Sequence, residues 1–442
     1  MASPVKSHTH ERSKTAESLR RYPHWLAWST CALLVGGLLQ GAFFLDRYTQ
    51  SDAFCGQTCH SSMAPQNAAH LAGSHADTPC VGCHVGKGLS GHLRAKVRGI
   101  EHVVSQLSGN YARPIRVTDT QQRVPDDRCL TCHSLSKIPE ARQLQVPRYL
   151  YDRANSAWQV SLTLHIGAYR TRPDPVRGIM WHMAEPGRVR FATPDPTTQT
   201  IPWVQVLRTD GSTTTYVARA TSLSPIALEQ LPRRSMTCAD CHNRIGHDLP
   251  HPDAVLDRAL FNGQLATSLR SVKRRVGQAV AEQPAARHEA LDLLQDALAQ
   301  PDQNPDAPTA KFSRSNANLA LVLARNLVAT AVYPHLGVEF ATYPSHVGHR
   351  FSLGCFRCHD GAHFDAAGKA IANDCATTCH TAPRLAPIDP TAREVTEPWH
   401  PWHVPALVPA VAGHDRLSCA DCHGAGLVPK LSCEDCHHPP GL

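Results

Sequence analysis

Eight short clusters of two cysteines followed by one histidine stand out along the 442 residues. Six read Cys-x-x-Cys-His, and two carry one extra residue between the cysteines. Two thiols on one short turn can form thioethers with the two vinyl groups of a porphyrin, and the next residue then offers an imidazole nitrogen to the iron. Because this is the attachment sequence of c-type haem, the spacing predicts covalently bound haem c.

The motifs use 16 of the 17 cysteines and leave only Cys31. The shorter form occurs at Cys80-Cys83-His84, Cys129-Cys132-His133, Cys238-Cys241-His242, Cys355-Cys358-His359, Cys419-Cys422-His423 and Cys433-Cys436-His437. The longer form occurs at Cys55-Cys59-His60 and Cys375-Cys379-His380, where the extra residue must bulge for both thiols to reach the porphyrin. We expect eight haems, with each of these histidines as the proximal iron ligand.

A single motif of this kind also fits a zinc ligand pair or a redox dithiol. Zinc sites pair their cysteine knuckles, however, and a disulfide scaffold has no use for the histidines. The chain has 28 histidines, so 20 remain after the proximal ligands are assigned. That number is sufficient to close the second axial position of every haem, which suits electron transfer better than catalysis at iron.

Position along the chain indicates which histidines are distal ligands. His182, in the sequence GIMWHM, is the strongest candidate within a stretch that lacks cysteines. Others lie near a motif or in a histidine-rich turn: His102, His346, His349, His363, His403 and His414.

Composition predicts an unusual core. Aromatic residues make up only 6% of the chain and there are 34 prolines, so we expect side chains alone to build a poor core. We therefore predict that the haems form the core and that the haem-free chain does not fold. The formal charge of +7 does not imply an anionic partner, since eight haems add about sixteen propionate charges. The basic residues form no patch with aromatics, and nucleic-acid binding is not expected.

A run of 21 residues from Trp25 to Leu45 contains no charge and is long enough to span a bilayer. Basic residues precede it, so the N-terminus is expected in the cytoplasm and the chain after Asp46 outside. A cleaved signal peptide is the alternative, but its apolar region is normally shorter. We expect an uncleaved anchor in the bacterial inner membrane with the bulk of the chain in the periplasm.

The predicted fold is mostly α-helical and irregular, with haem as the core, one transmembrane helix and a small antiparallel β insert. Alternating runs around the Asp210-Gly211 turn predict a β-hairpin, and leucine spacing predicts helices over 252–299 and 311–332 with a loop at Asp302 to Asp306. LSCADCH and LSCEDCH repeat with a period of 14 residues near the C-terminus and suggest stacked haem units. The expected segments are a basic tail (1–24), the transmembrane helix (25–45), haems 1–3 (47–145), the β-rich insert (146–231), haem 4 (232–250), a helical segment without haem motifs (251–350) and haems 5–8 (351–442).

Residues 20–250 resemble the NapC/NirT family of membrane-anchored multihaem quinol dehydrogenases. The resemblance is carried by one N-terminal anchor followed by FCGQTCHSSM, SHADTPCVGCHVGKG, RCLTCHS and TCADCHNRIGHDLP. It implies that Met63 is an axial ligand of the first haem, that His75 and His247 are distal ligands, and that Lys96 lines a quinol pocket. Met63 also fits core packing, and Lys96 also fits a solvated charge. The family's acidic partner of this lysine has no clear match, and Glu101 is the closest candidate.

These features predict an octahaem electron carrier with quinol or an integral-membrane cytochrome as donor, a periplasmic redox protein as acceptor and a bilayer anchor. Association into an oligomer or a larger respiratory complex is compatible with them. A multihaem reductase acting on nitrite, hydroxylamine or a sulfur oxyanion is the alternative, and it needs an open haem position. No Cys-x-x-Cys-Lys motif occurs in the chain, which disfavours a nitrite-reducing site. A haem storage protein is a third hypothesis, and the directional layout of the chain argues against it.

Overall fold

The computed structural model describes residues 24–58, 61–116, 124–151, 154–167, 178–185, 187–208, 210–219, 221–249, 251–266, 269, 271–281, 285–299, 314–373, 378–381 and 383–388. Several predicted site residues therefore lie outside the described residues: Cys59, His60, Cys375, His403, His414 and both motifs that begin at Cys419 and Cys433. The predicted loop from Asp302 to Asp306 lies outside them as well.

The first helix, α1 (His24–Thr49), contains the predicted apolar run. It is 26 residues long, and none of its residues is buried in the protein. At 1.5 Å per residue it extends about 39 Å, which exceeds the hydrocarbon thickness of a bilayer. Its length and composition fit a single-pass membrane anchor.

Among the described residues, six α-helices after α1 belong to the part of the chain that holds the first four haem motifs. They are α2 (Ala64–Leu71), α3 (Cys80–His84), the longer α4 (Gly88–Ser108) and α5 (Asp126–Cys132), followed by α6 (Pro225–Gln230) and α7 (Cys238–Cys241). Three of them, α3, α5 and α7, contain motif cysteines. The first motif begins in a π-helical turn over Phe54–Thr58. A π turn accommodates one residue more than an α-helical turn, which agrees with the bulge expected from the longer spacing.

Two antiparallel sheets lie between and around these motifs. The first contains β1 (Ala141–Tyr149), β2 (Ala157–His165) and β8 (Arg384–Pro387), with β2 in the middle. The second contains β3 (Val189–Ala192), β4 (Trp203–Leu207), β5 (Thr213–Ala218), β6 (Arg233–Ser235) and β7 (His363–Phe364), in the order β6-β3-β4-β5-β7.

The predicted hairpin is confirmed, because β4 and β5 pair with Leu207 opposite Thr213. Gly211 in its turn has φ of +81°, a conformation that glycine adopts without steric cost. The sheets extend beyond the predicted insert, since β1 begins at Ala141 and two strands come from the C-terminal haem segment. Strand β7 follows the fifth motif and strand β8 follows the sixth, so their pairing with β5 and β2 connects both motifs to the β-rich segment.

Four further helices form the segment between the fourth and fifth motifs: α8 (Pro252–Phe261), α9 (Val272–Ala281), α10 (Arg287–Ala299) and α11 (Arg314–Ala331). The predicted leucine faces pack inward, as shown by the buried side chains of Leu256, Leu260, Leu265, Leu269, Leu294 and Leu298. Together with alanine and valine residues of α9 and α11 they form one continuous apolar cluster. The expectation that side chains alone build a poor core is therefore wrong for this segment. Its low aromatic content is offset by close packing of aliphatic residues.

Candidate haem-binding site

Five pairs of histidine rings in the described part of the chain have their centroids close to 6 Å apart. One of them, His70 with His247 at 6.1 Å, contains no motif histidine. In each of the other four pairs one histidine belongs to a haem motif and the other comes from elsewhere in the chain. These four pairs are His84 with His247 (6.0 Å), His133 with His75 (6.0 Å), His359 with His182 (5.7 Å) and His380 with His349 (6.2 Å).

This spacing fits one iron atom between two imidazoles. A metal-binding imidazole nitrogen lies about 2 Å from its metal, so two rings on opposite sides of one metal have centroids about 6 Å apart. Directly stacked aromatic rings are closer, as in the pair His251 and Phe351 at 4.0 Å. The paired residues therefore fit six-coordinate haem iron, with the motif histidine on one side and the remote histidine on the other.

In four of these eight histidines, Nδ1–H donates a hydrogen bond to a backbone carbonyl. Nδ1–H of His182 donates to Ile179 (2.8 Å), and Nδ1–H of His247 donates to Gln66 (2.9 Å). Among the motif histidines, His359 and His380 donate in the same way to the carbonyls of Ala372 (2.6 Å) and Thr381 (2.7 Å). Metal-binding histidines typically donate a hydrogen bond from the ring nitrogen that does not bind the metal. When Nδ1–H is the donor, the lone pair of Nε2 is available to the metal.

Burial favours the neutral form, which is the state that binds iron, in three of the four remote histidines. It lowers the pKa of His182, His247 and His349 below the ordinary value for histidine. Local backbone and ring contacts also orient the side chains of His182 and His349. His182 lies on a 3₁₀ turn (Ile179–Met183) that follows Gly178, whose φ is +83°. His349 stacks on Phe356 with centroids 4.4 Å apart.

Two predicted distal ligands have a different environment. Nδ1 of His346 lies 2.9 Å from the carbonyl of Asp240, and its Nε2 lies 3.1 Å from the carbonyl of Thr197. In His363, Nδ1 contacts the Asp360 carboxylate at 2.8 Å and Nε2 contacts the carbonyl of Ile201 at 2.7 Å. Because both ring nitrogens are engaged, this geometry does not support either histidine as an axial ligand. Both histidines instead connect separate loops through these buried hydrogen bonds.

Within the described residues, none of the remaining candidates is paired with the ring of a motif histidine, although the ring of His70 lies 6.1 Å from that of His247. Met63 ends a 3₁₀ turn (Ser61–Met63) just before α2, and His60 lies outside the described residues. His102 is exposed on α4, and His242 follows the end of α7. His70 was not singled out from the sequence, although it lies five residues before His75. It is buried, its Nδ1 contacts the carbonyl of Gly246 at 2.9 Å, and its Nε2 has no hydrogen-bond partner in the described part of the chain.

Aspartate side chains join the first motif to the second and the third to the fourth. Asp52, three residues before Cys55, accepts a hydrogen bond from the backbone N–H of Cys80 at 2.8 Å. Asp126, three residues before Cys129, accepts one from the N–H of Cys238 at 2.9 Å. Each carboxylate thus satisfies the first free N–H of the next motif's helix. The shared Asp-x-x-Cys spacing is a signal that sequence reasoning missed.

Arginine side chains join the second motif to the third and the fourth to the fifth. Nε of Arg128 donates to the carbonyl of Gly82 at 2.7 Å. Nη2 of Arg357 donates to the carbonyl of Asp240 at 2.8 Å, and Arg357 is buried. The fifth and sixth motifs meet through His349, which contacts both Phe356 and His380. The described motifs therefore follow one another in space in the same order as in the sequence.

A charged cluster lies where α1 ends, beside the first motif. Nζ of Lys96 and Nε2 of His92 each lie 2.9 Å from the carboxylate of Asp46, and Lys96 also donates to the hydroxyl of Thr49. The acidic partner of Lys96 is therefore Asp46 rather than Glu101. The position of Asp46 as the first charge after the apolar run could have indicated it.

Zinc binding finds no support within the described residues, because no three His, Cys, Asp or Glu side chains there are grouped to hold a metal ion. The histidine pairs fit haem iron, whose other ligands come from the porphyrin.

Comparisons with known proteins agree with a haem protein. The cytochrome c-type protein ImcH of Geobacter sulfurreducens is 30% identical over 380 residues, which cover 86% of this chain and 73% of that protein. No family model matches the chain. No solved structure matches it. The identity and coverage show that this chain belongs to the family of ImcH: it is an electron-carrying c-type cytochrome with covalently bound haem c.

Proposed function

We propose that the chain is an octahaem cytochrome of the NapC/NirT type that carries electrons from the membrane to a periplasmic redox protein. Its anchor would lie in the bacterial inner membrane, with the haem segments in the periplasm. The donor would be quinol, with an integral-membrane cytochrome as the other candidate. The observation that carries this proposal is the order of the motifs, which run in contact from the end of α1 to the sixth motif.

The haem-binding residues follow from the histidine pairs. We propose His247, His75, His182 and His349 as the distal ligands for the motifs that end at His84, His133, His359 and His380. Closely spaced haems with two histidine ligands pass electrons with little rearrangement, and that is the chemistry the group supplies when bound. The protein sets the order of the haems through the Asp52, Gly82, Asp126 and Asp240 contacts.

Electron entry is proposed at the cluster of Lys96, Asp46 and His92. Oxidation of a quinol to a quinone releases two electrons and two protons. The Asp46 carboxylate and the imidazole of His92 would accept the protons, and Lys96 would donate a hydrogen bond to a quinol oxygen. The electrons would leave through the haems to the periplasmic acceptor, which is reduced. The first motif begins at Cys55, six residues after Thr49, whose hydroxyl accepts a hydrogen bond from Lys96.

The test uses the full-length holoprotein in lipid nanodiscs. We expect Lys96→Met to slow haem reduction by a quinol analogue about tenfold, the loss of roughly one hydrogen bond to a charged group. Reduction by dithionite should stay unchanged, because it does not need the quinol site. Lys87→Met is the control, since Lys87 is half exposed near the start of α4 and faces Asp127 instead. Equal quinol rates in Lys96→Met and the control would exclude this entry point and favour a membrane cytochrome as donor.

The haem count is tested separately by intact mass. Eight attached haems raise the mass by eight porphyrin increments, and the mass also shows whether α1 is retained. A count of six would mean that the two motifs with longer spacing, at Cys55 and Cys375, do not carry haem.

A further inference from the structure

Helix α4 carries a continuous apolar stripe on its exposed side. Six large aliphatic residues follow one another at intervals of three or four, and each is more than half exposed: Leu89, Leu93, Val97, Ile100, Val104 and Leu107. At 3.6 residues per turn they cover about 80° of the helix circumference. Such a stripe on a soluble helix normally packs against a core.

The other side of α4 faces the protein. Gly91 lies so close to Gly86 that a Cβ atom at Gly91 would clash with the backbone. Near the end of the helix, Gln106 accepts a hydrogen bond from the hydroxyl of Ser62 at 2.9 Å. Because these contacts lie on the opposite side from Val97 and Val104, the apolar stripe points away from the rest of the chain.

The position of α4 relative to the anchor indicates what covers the stripe. Asp46, the first charged residue after the apolar run of α1, pairs with both Lys96 and His92 of α4. The first half of α4 is thereby held at the level where the hydrocarbon-spanning part of α1 ends. The first half of the apolar stripe therefore begins beside the end of the apolar run of α1.

Length and charge favour a bilayer over a haem as the partner of this surface. The stripe extends about 27 Å along the helix, well beyond the reach of one porphyrin. Arg94 and Lys96 lie on either side of it. Helix α4 as a whole carries three basic residues, Arg94, Lys96 and Arg98, and a single acid, Glu101, so its net charge is positive. Basic residues beside an apolar face are typical of helices that lie in anionic lipid interfaces.

We propose that α4 is a second, monotopic membrane contact that lies in the outer leaflet with its apolar stripe among the lipid chains. The anchor and α4 then hold the first haem motif and Lys96 at headgroup depth. The proposal rests on α1 spanning the bilayer but not on the identity of the electron donor.

The experiment places the photo-crosslinker p-benzoylphenylalanine at single positions of the full-length holoprotein in nanodiscs of phosphatidylglycerol and phosphatidylethanolamine. The positions are Val97 on the stripe, the adjacent Arg98 on the other side of α4 and Leu38 in the anchor as a reference. Haem absorbance verifies that each variant is folded and loaded. We expect lipid adducts at Val97 in about tenfold greater yield than at Arg98, and approaching the yield at Leu38.

Three outcomes would overturn the proposal. Equal lipid labelling at Val97 and Arg98 would mean that α4 has no oriented contact with lipid. Adducts from Val97 to the same chain would mean that another segment covers the stripe. Adducts to a second copy would identify a protein interface. Because quinol is absent from the experiment, none of these results depends on the proposed electron donor.

Discussion

The ring centroids of His182 and His359 lie 5.7 Å apart, and the two ring planes are nearly perpendicular, at 88°. His182 lies in the β-rich segment, and His359 ends the fifth haem motif. If these are the two axial ligands, His182→Ala leaves the iron at this motif with one protein ligand. We expect one haem to change from low spin to high spin, measured by electron paramagnetic resonance of the oxidised protein.

The control for this substitution is His288→Ala, which alters an exposed histidine of α10 and should leave every haem low spin. The 88° angle adds a second criterion, because perpendicular imidazole planes give a more anisotropic low-spin signal than the 37° found for His84 and His247. The most anisotropic signal should therefore disappear in His182→Ala. Loss of a different signal would reassign the ligand.

Asp126 provides a test of the contacts between motifs. Asp126→Ala removes the acceptor for the Cys238 N–H, and we expect the free energy of unfolding to fall by about 1 to 2 kcal/mol. Asp127→Ala is a matched control in the same helical turn. Among the described residues its carboxylate pairs with exposed Lys87 at 3.7 Å, so a loss below about 0.5 kcal/mol is expected. Denaturant unfolding followed by haem absorbance measures both, and equal losses would refute a special role for Asp126.

Lys273 is the most deeply buried cation of the helical segment, with 2% of its surface exposed. Its Nζ lies 2.5 Å from Asp253 and 2.8 Å from Asp257, and it donates to the carbonyl of Tyr149 at 2.6 Å. Lys273→Met leaves two buried carboxylates short of a partner, so a loss of about 3 to 5 kcal/mol is expected. Arg274→Met, an exposed change on the same helix, should cost little. A small loss in Lys273→Met would mean that Arg350, which pairs with both carboxylates, and Arg148, 3.5 Å from Asp257, compensate for the missing ammonium group.

Asp253 predicts how stability depends on pH. Burial raises its pKa, but Lys273 and Arg350 outweigh burial and hold the pKa below the ordinary value. Because the folded-state pKa lies below the unfolded one, this carboxylate stabilises the fold above about pH 4, and the contribution is lost as pH falls through the folded-state pKa. Thermal unfolding between pH 7 and pH 3 measures the effect. Asp253→Asn should be less stable at pH 7 and lose less stability on acidification, and parallel curves would contradict this.

Local patterns were sufficient for several elements. The apolar run of α1, the β4–β5 hairpin around Gly211 and the leucine faces of α8 to α10 depend on residues close in sequence, so periodicity and turn chemistry predicted them. The core of the helical segment was underestimated because aromatic content was taken as a measure of packing. Alanine and valine in α9 and α11 pack closely enough to replace large side chains.

Distal ligands depended on contacts that no local pattern encodes. His346 and His363 lie near motifs in sequence, yet hydrogen bonds to Asp240 and Ile201 engage their ring nitrogens. The sequence indicated Glu101 as the closest candidate for the acidic partner of Lys96. The carboxylate that pairs with Lys96 is that of Asp46, which lies on another helix and is distant in sequence.

The sequence by itself determined the chemistry of this protein: the Cys/His motifs, the covalent haem c that they predict and the apolar helix before them are all short-range patterns. Only the tertiary structure decided which histidine lies beside which motif, and in what order the described motifs contact one another. The physical reason is that histidine pairs such as His75 with His133 or His349 with His380 are brought together by packing of sheets, helices and buried arginines, and these contacts are set by the whole chain.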